Sequence, residues 1–345
     1  MLSQFLINSS KKVIIPSIRN LALTTTKLHR YGRESLRGRL DKLKYEKKPV
    51  HNFFNQSQNI VHHDLIPIRP LSHLYKALGF AAFVTFSSFT IGAIIHYERT
   101  KERLRVIITD MEVFFQKMSA HPSRLEDITQ IKLSLAQKVV VSIIGINILV
   151  TLLWKIPKLV PFMTTHFTNS FSQKYLCLPM LTSIFSHQSA VHLFFNMYVL
   201  WSFAPVAMHK YSGVEQFCAL YAASGVISSF FSLAHKAVIR SPVRALGASG
   251  AILGILTYTC MKMPDARLQI IFVPFFDFSA QSAVYGIILF DLIGLLGPWR
   301  KIFDHAAHLG GSLFGVWYAM YGENFIRNWY NPKVINMYRD IKGSM

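Results

Sequence analysis

Apolar runs close to membrane-spanning length recur along this chain, bounded by charged or Pro/Gly-rich segments, and they limit its folds more than any single residue does. Such a run reads as a transmembrane helix, because it must cross roughly 30 Å of hydrocarbon. Seven candidates stand out: Ala77–Ile95, Val139–Trp154, Ser189–Met208, Glu215–Ala237, Ala248–Met261, Ala280–Leu296 and Ala306–Tyr321. The run from Ala248 is short and the one from Val139 borderline; a short helix is tolerated where its end lies in protein rather than lipid. A chain of 345 residues is long enough for two soluble domains, but 51% hydrophobic against 16% charged residues argues for the bilayer instead. The predicted fold class is therefore an all-α polytopic membrane protein.

Charge divides the chain. The formal net charge of +20 is concentrated toward the amino terminus. Met1 to Arg33 holds no Asp or Glu but carries Lys11, Lys12, Arg19, Lys27, Arg30 and Arg33 among Ser, Thr, Leu and Ile, the composition of a mitochondrial presequence. A basic arm on anionic lipid is the competing reading, and no aromatic-interleaved groove suggests nucleic acid. The predicted organisation is a leader over 1–48, with a processing site at Arg19-Asn20-Leu21-Ala22. A region with one span and a charged, partly helical stretch (Glu98–Lys138) follows over 49–138, then six closely linked spans over 139–321 and a polar tail over 322–345. Cys177, Cys218 and Cys260 are isolated, so neither a disulfide framework nor a Cys-x-x-Cys metal site is expected.

The chemistry is expected in the six spans. Ser249 sits in Gly247-Ala248-Ser249-Gly250-Ala251. Alone it reads as helix packing, because Gly250-x-x-x-Gly254 is a small-xxx-small face. A serine hydroxyl becomes a useful nucleophile only beside a base that removes its proton. Histidine, with an ordinary pKa of about 6.5, suits that role. His308 is followed by Gly311 and Gly315 at helical spacing, so the imidazole and two glycines share one face. Docking that face on Gly250 and Gly254 would bring Ser249 and His308 together. Acyl transfer also needs donors for the oxyanion; His192 and Asn196, four apart on the third span, are candidates, together with backbone N–H groups near Ser249. Asp304 reads as the N-cap of the last span rather than an orienter of His308. His305-x-x-His308 lacks a third ligand or a His-Glu-x-x-His pattern, so no metal and no cofactor are expected. Asp291, inside the sixth span, reads as a structural interhelical bond.

Together these residues resemble the rhomboid intramembrane serine proteases. The likeness rests on Gly-x-Ser-Gly at Gly247–Gly250, Ala-His-x-x-Gly-x-x-x-Gly at Ala307, His308, Gly311 and Gly315, and His-x-x-x-Asn at His192 and Asn196. The leader, the extra first span and Phe303-Asp304-His305-Ala306-Ala307-His308-Leu309-Gly310-Gly311 resemble the mitochondrial presenilin-associated rhomboid-like subgroup. The resemblance implies a six-helix core with one added amino-terminal helix (1+6), a Ser249–His308 dyad, and residence in the mitochondrial inner membrane. It implies partners that are the lipid bilayer and transmembrane protein substrates, such as dynamin-like GTPases, imported kinases or peroxidases. A catalytically inactive client-binding relative is the alternative. Two positions depart from bacterial rhomboids: Leu253 stands where an aromatic would pack on the histidine, and Trp-Arg occurs only at Trp299-Arg300. The presequence, and the excess of basic residues in the loops beside Ser249, place the active-site mouth toward the matrix.

Overall fold

The computed structural model describes residues 69–118, 133–270, 273–297 and 303–344, and helices dominate them. In order they are α1 (Leu74–Met118), α2 (Leu135–Leu153), α3 (Val160–His166), α4 (Cys177–Thr182), α5 (Ala190–Val206), α6 (Val214–Val238) and α7 (Ser249–Lys262). A two-stranded hairpin leads to α8 (Ala280–Leu296) and α9 (His305–Trp317), which continues through π turns into a last helix, α10 (Asn331–Gly343). A helix occupies each of the seven predicted apolar stretches. Among the described residues, four segments are long and apolar enough to cross a membrane: Leu71–Val113, Leu135–Leu153, Ala190–Ser212 and Val214–Val238. The leader and its processing site lie outside the described residues.

The all-α expectation is corrected by the hairpin, β1 (Arg267–Ile270) against β2 (Val273–Ser279), antiparallel with Leu268 facing Phe278 and Gln269 facing Asp277. Its alternating Arg-Leu-Gln-Ile and its Val- and Phe-rich second strand suit a pleated surface. The segment lies between two apolar runs and reads as mere linker when the runs alone are counted. The first helix also extends past the predicted Ile95 to Met118, since the charged residues after Glu98 are good helix formers.

Side-chain caps start several helices. Ser134 and Gln137 form a capping box on α2, with Gln137 Oε1 accepting the Ser134 N–H at 2.8 Å. Ser189 caps α5, Ser279 caps α8 and Asp304 caps α9, each accepting from a backbone N–H three residues on. The hydroxyl of Ser249, at the first position of α7, makes no cap bond.

The centre of the fold is α6, 67% of whose apolar window is enclosed by protein, against 17% for that of α1. Its small residues Ser224 and Ser228 meet Gly254 and Gly250 of α7. Helices α7 and α9 then interlock. A Cβ on Gly311 would overlap the Gly250 carbonyl, and one on Gly315 would overlap that of Gly254. Thr257 Oγ1 donates across the seam to the Ser312 carbonyl at 3.0 Å. Helix α1 packs on the other side of α6, with Arg99 paired to Glu215 and Gly92 set against the Glu215 backbone. The carboxy-terminal α10 clasps α1 through Lys342 and Glu98 at 2.8 Å.

The seam leaves no room for a side chain, and overpacking a tight contact typically costs 1–3 kcal/mol or more. Gly311→Val is expected to destabilise the folded protein by about 3 kcal/mol, read as a lower unfolding midpoint of the purified protein in detergent, whereas Gly286→Ala, where a Cβ meets open space, leaves it unchanged.

Candidate active site

Ser249 opens α7 and His308 lies in the first turn of α9, so the glycine seam sets the distance between them. Ser249 Oγ lies 2.9 Å from His308 Nε2, a hydrogen bond. If Nδ1 carries the ring proton, Nε2 is a lone pair facing the hydroxyl, the arrangement a general base requires. The His308 side chain is 17% exposed, enough for water to reach it.

The approach to Ser249 is fixed by backbone bonds. Asn169 and Ala245 exchange hydrogen bonds, and the Gly247 N–H donates to the Ser183 carbonyl at 3.0 Å. Gly247 has φ +131°, a conformation that favours glycine, and the His192 ring lies where a Cβ would stand, with Cε1 only 2.8 Å away. The next N–H, of Ala248, donates to His187 Nε2 at 3.4 Å. His187 is fully buried, and burial first, then the neighbouring His192, pulls its pKa down to about 3, so it stays a neutral acceptor. Sequence reasoning passed over His187: it lies outside the helix carrying His192, five residues before it, and so shares no helical face with it.

His192 stands beside the serine loop, in edge contact with His187. Asn196 is buried and its Nδ2 donates to the His192 carbonyl at 2.9 Å, leaving its second amide N–H for another acceptor. The predicted partners thus lie on one helix next to Gly247, and Asn196 bonds its own helix.

Asp291 does more than the sequence indicated. Buried on α8, its Oδ1 lies 2.8 Å from His305 Nδ1 and 3.3 Å from His308 Nδ1. One carboxylate oxygen therefore faces both histidines, and Ser249, His308 and Asp291 form a chain. The missing third ligand beside His305 and His308 is also corrected, since ligand atoms of Asp291, His305 and His308 lie within 4.8 Å of one another. Phe290 and Phe303 pack against His305, and Phe303 also reaches His308, with ring centroids 6.3 Å apart.

A Rhomboid domain profile matches residues 176–324, which hold Ser249, His308, Asp291, His305, His187, His192 and Asn196. The human mitochondrial presenilin-associated rhomboid-like protein is 40% identical over 280 residues, covering 79% of this chain and 73% of the relative. The chain belongs to the rhomboid family. Protein A of the same name from Danio rerio is 37% identical over 285 residues (76% of this chain, 74% of the relative), and mitochondrial rhomboid protein 1 of Saccharomyces cerevisiae is 33% identical over 187 residues (54% and 53%). With these mitochondrial relatives and its apolar helices, this rhomboid is a mitochondrial multi-pass membrane protein.

Helix α9 of this rhomboid is held at its start by a cluster of polar side chains. Asp304 Oδ1 accepts the Ala307 N–H at 3.2 Å, the cap the sequence predicted. Its other oxygen, Oδ2, accepts from Ser232 Oγ and pairs with Lys236 Nζ, each at 2.6 Å. The N-cap thereby ties α9 to α6. Leu253 stands in place of an aromatic, and the ring near His308 is that of Phe303, tilted at 43° to it. Trp299 and Arg300 lie outside the described residues.

Removing one partner of a buried ion pair strands the other. Lys236→Met is expected to lower stability by about 3 kcal/mol, and Lys236→Met with Asp304→Asn to recover part of that loss, because no charge is then left unpaired. Equal losses in the single and double variants, measured by denaturation in detergent, would assign the cluster no electrostatic role.

Proposed function

We propose that this rhomboid is an intramembrane serine endopeptidase of the mitochondrial inner membrane, built as a six-helix core with one added helix, α1. The observation that carries the reading is the 2.9 Å bond between Ser249 Oγ and His308 Nε2 across two apolar helices. In this account Ser249 Oγ attacks the scissile carbonyl of a transmembrane segment while His308 Nε2 takes its proton. The tetrahedral intermediate collapses as that proton passes to the leaving amine, which gives an acyl-enzyme and a free amino terminus. Water then enters, loses its proton to His308 and releases the new carboxyl end and Ser249.

The other site residues have supporting roles. His192 and the free N–H of Asn196, with the first N–H groups of α7, would donate to the oxyanion, each donor typically worth about 3 kcal/mol of transition-state stabilisation. His187 keeps the serine loop in place through Ala248. Asp291 would hold His308 with Nδ1–H toward it, fix the tautomer that leaves Nε2 free, and stabilise the imidazolium that forms. The substrate classes are those the family suggests, membrane-anchored dynamin-like GTPases, imported kinases or peroxidases, met from the matrix side.

The test is reconstitution with transmembrane substrates of helix-destabilised sequence. Cleavage by the wild type and its loss in Ser249→Ala and His308→Ala is the expected result. Cleavage that survives Ser249→Ala would overturn the mechanism, and a folded wild type that binds but never cuts such substrates would make this a client-binding rhomboid. Asp291→Asn is expected to lower kcat about 100-fold with little change in KM, since it acts through His308 rather than on substrate; an unchanged kcat would leave Asp291 a purely structural role.

A further inference from the structure

The Asp291, His305 and His308 cluster offers a carboxylate oxygen and two imidazole nitrogens from α8 and α9. Such a nitrogen and oxygen set suits Zn2+ and neighbouring transition metals, which bind at about 2.0–2.2 Å with tetrahedral ligands roughly 3.3 Å apart. The two distances to Asp291 Oδ1, 2.8 and 3.3 Å, are close to that edge length, and the two imidazole rings meet it nearly at right angles to each other, with an interplanar angle of 80°. A metal could therefore take the place of the protons now between these atoms with little backbone movement. His305 is buried, its Nδ1 faces Asp291, and its Nε2 has no hydrogen-bond partner among the described residues. Of the three side chains His308 is the most open, 17% exposed, against 1% for His305 and 2% for Asp291.

We propose that Asp291, His305 and His308 form a divalent transition-metal site, of the Zn2+ class, whose occupancy switches the protease off. The chemistry follows from the two nitrogens of His308. In the resting dyad Nδ1 carries the proton and Nε2 faces Ser249. For a metal to bind Nδ1 the ring's single proton moves from Nδ1 to Nε2, which frees the Nδ1 lone pair for the metal; Nε2–H then donates to Ser249 Oγ and accepts nothing. His305 undergoes the same tautomer change, so each imidazole keeps its one proton, and an oxygen of Asp291 completes the three protein ligands. A water completes the fourth position. The serine stays in place but has no base. The fold thus joins the group that orients the catalytic histidine to a site that can immobilise it.

The site claim stands on its own, and the inhibitory claim rests on the proposed Ser249–His308 mechanism, so the two are measured separately. Purified full-length protein in detergent is titrated with Co2+ as a spectroscopic probe. The expected result is the visible d–d absorption of four-coordinate Co2+ at about one ion per chain, displaced by Zn2+ and retained in Ser249→Ala. His305→Phe, which keeps a flat ring of similar size, and Asp291→Asn should each weaken binding at least tenfold; folding is checked by their unfolding midpoints, and either folded variant suffices. In liposomes, Zn2+ should abolish cleavage by the wild type and EDTA restore it, with His305→Phe requiring at least tenfold more Zn2+ relative to its own metal-free rate. No Co2+ band, or bands and half-inhibiting Zn2+ concentrations that are the same in wild type and folded variants, would overturn the proposal. Binding without any protease activity would uphold the site and reject the mechanism it was meant to control.

Discussion

The backbone contact between α7 and α9 is the constraint on which the site depends. Gly250 and Gly254 meet Gly311 and Gly315 with no side chain between them. In a bilayer, lipid tails are as apolar as leucine, so helices associate through close packing and hydrogen bonds rather than by the exclusion of water. Small residues let α7 and α9 approach until Ser249 and His308 are a hydrogen bond apart, and Thr257 adds a bond across the seam. A bulkier residue at any of these glycines would separate the Ser249 hydroxyl from the His308 ring. The small faces therefore set the geometry of the candidate site as well as the packing.

Polar groups then refine what the glycines bring together. Two carboxylates among the described residues show this: Asp304 caps α9 while held by Ser232 and Lys236, and Asp291 faces the Nδ1 atoms of His305 and His308. A charge buried without a partner would be strongly destabilising, so these pairs fix the start of α9 and the ring of His308 in the same step. His187 does likewise for the serine loop, because its buried neutral ring can only accept from Ala248. Helix α1 is fastened to α6 and α10 by Arg99–Glu215 and Glu98–Lys342, on contacts separate from those around Ser249.

Much of this was legible in the residues. Apolar runs showed where helices lie, and the periodic placement of His308, Gly311 and Gly315 revealed a face made to dock. The capping role of Asp304 followed from its place just ahead of an apolar run. What escaped was whatever depends on how separate segments meet. Asp291 and His305 are fourteen residues apart on two different helices, and no periodicity encodes how those helices meet, so the shared carboxylate and the third ligand of the cluster could not be read. His187 sits in a loop, where spacing carries no facing information. The hairpin was hidden because hydrophobic runs on both sides dominated the reading, although its own alternation was there to be seen.

The central claim is that Ser249 is a nucleophile because His308 activates it, and reaction with a fluorophosphonate tests it most directly. The full-length protein in its native membrane or in liposomes is treated with the probe and the adduct located by peptide mass. The account predicts modification at Ser249 in the wild type and its loss in His308→Ala. Labelling of Ser249 that is equally fast without His308, or no labelling of Ser249 in a preparation that cleaves transmembrane substrates, would contradict it.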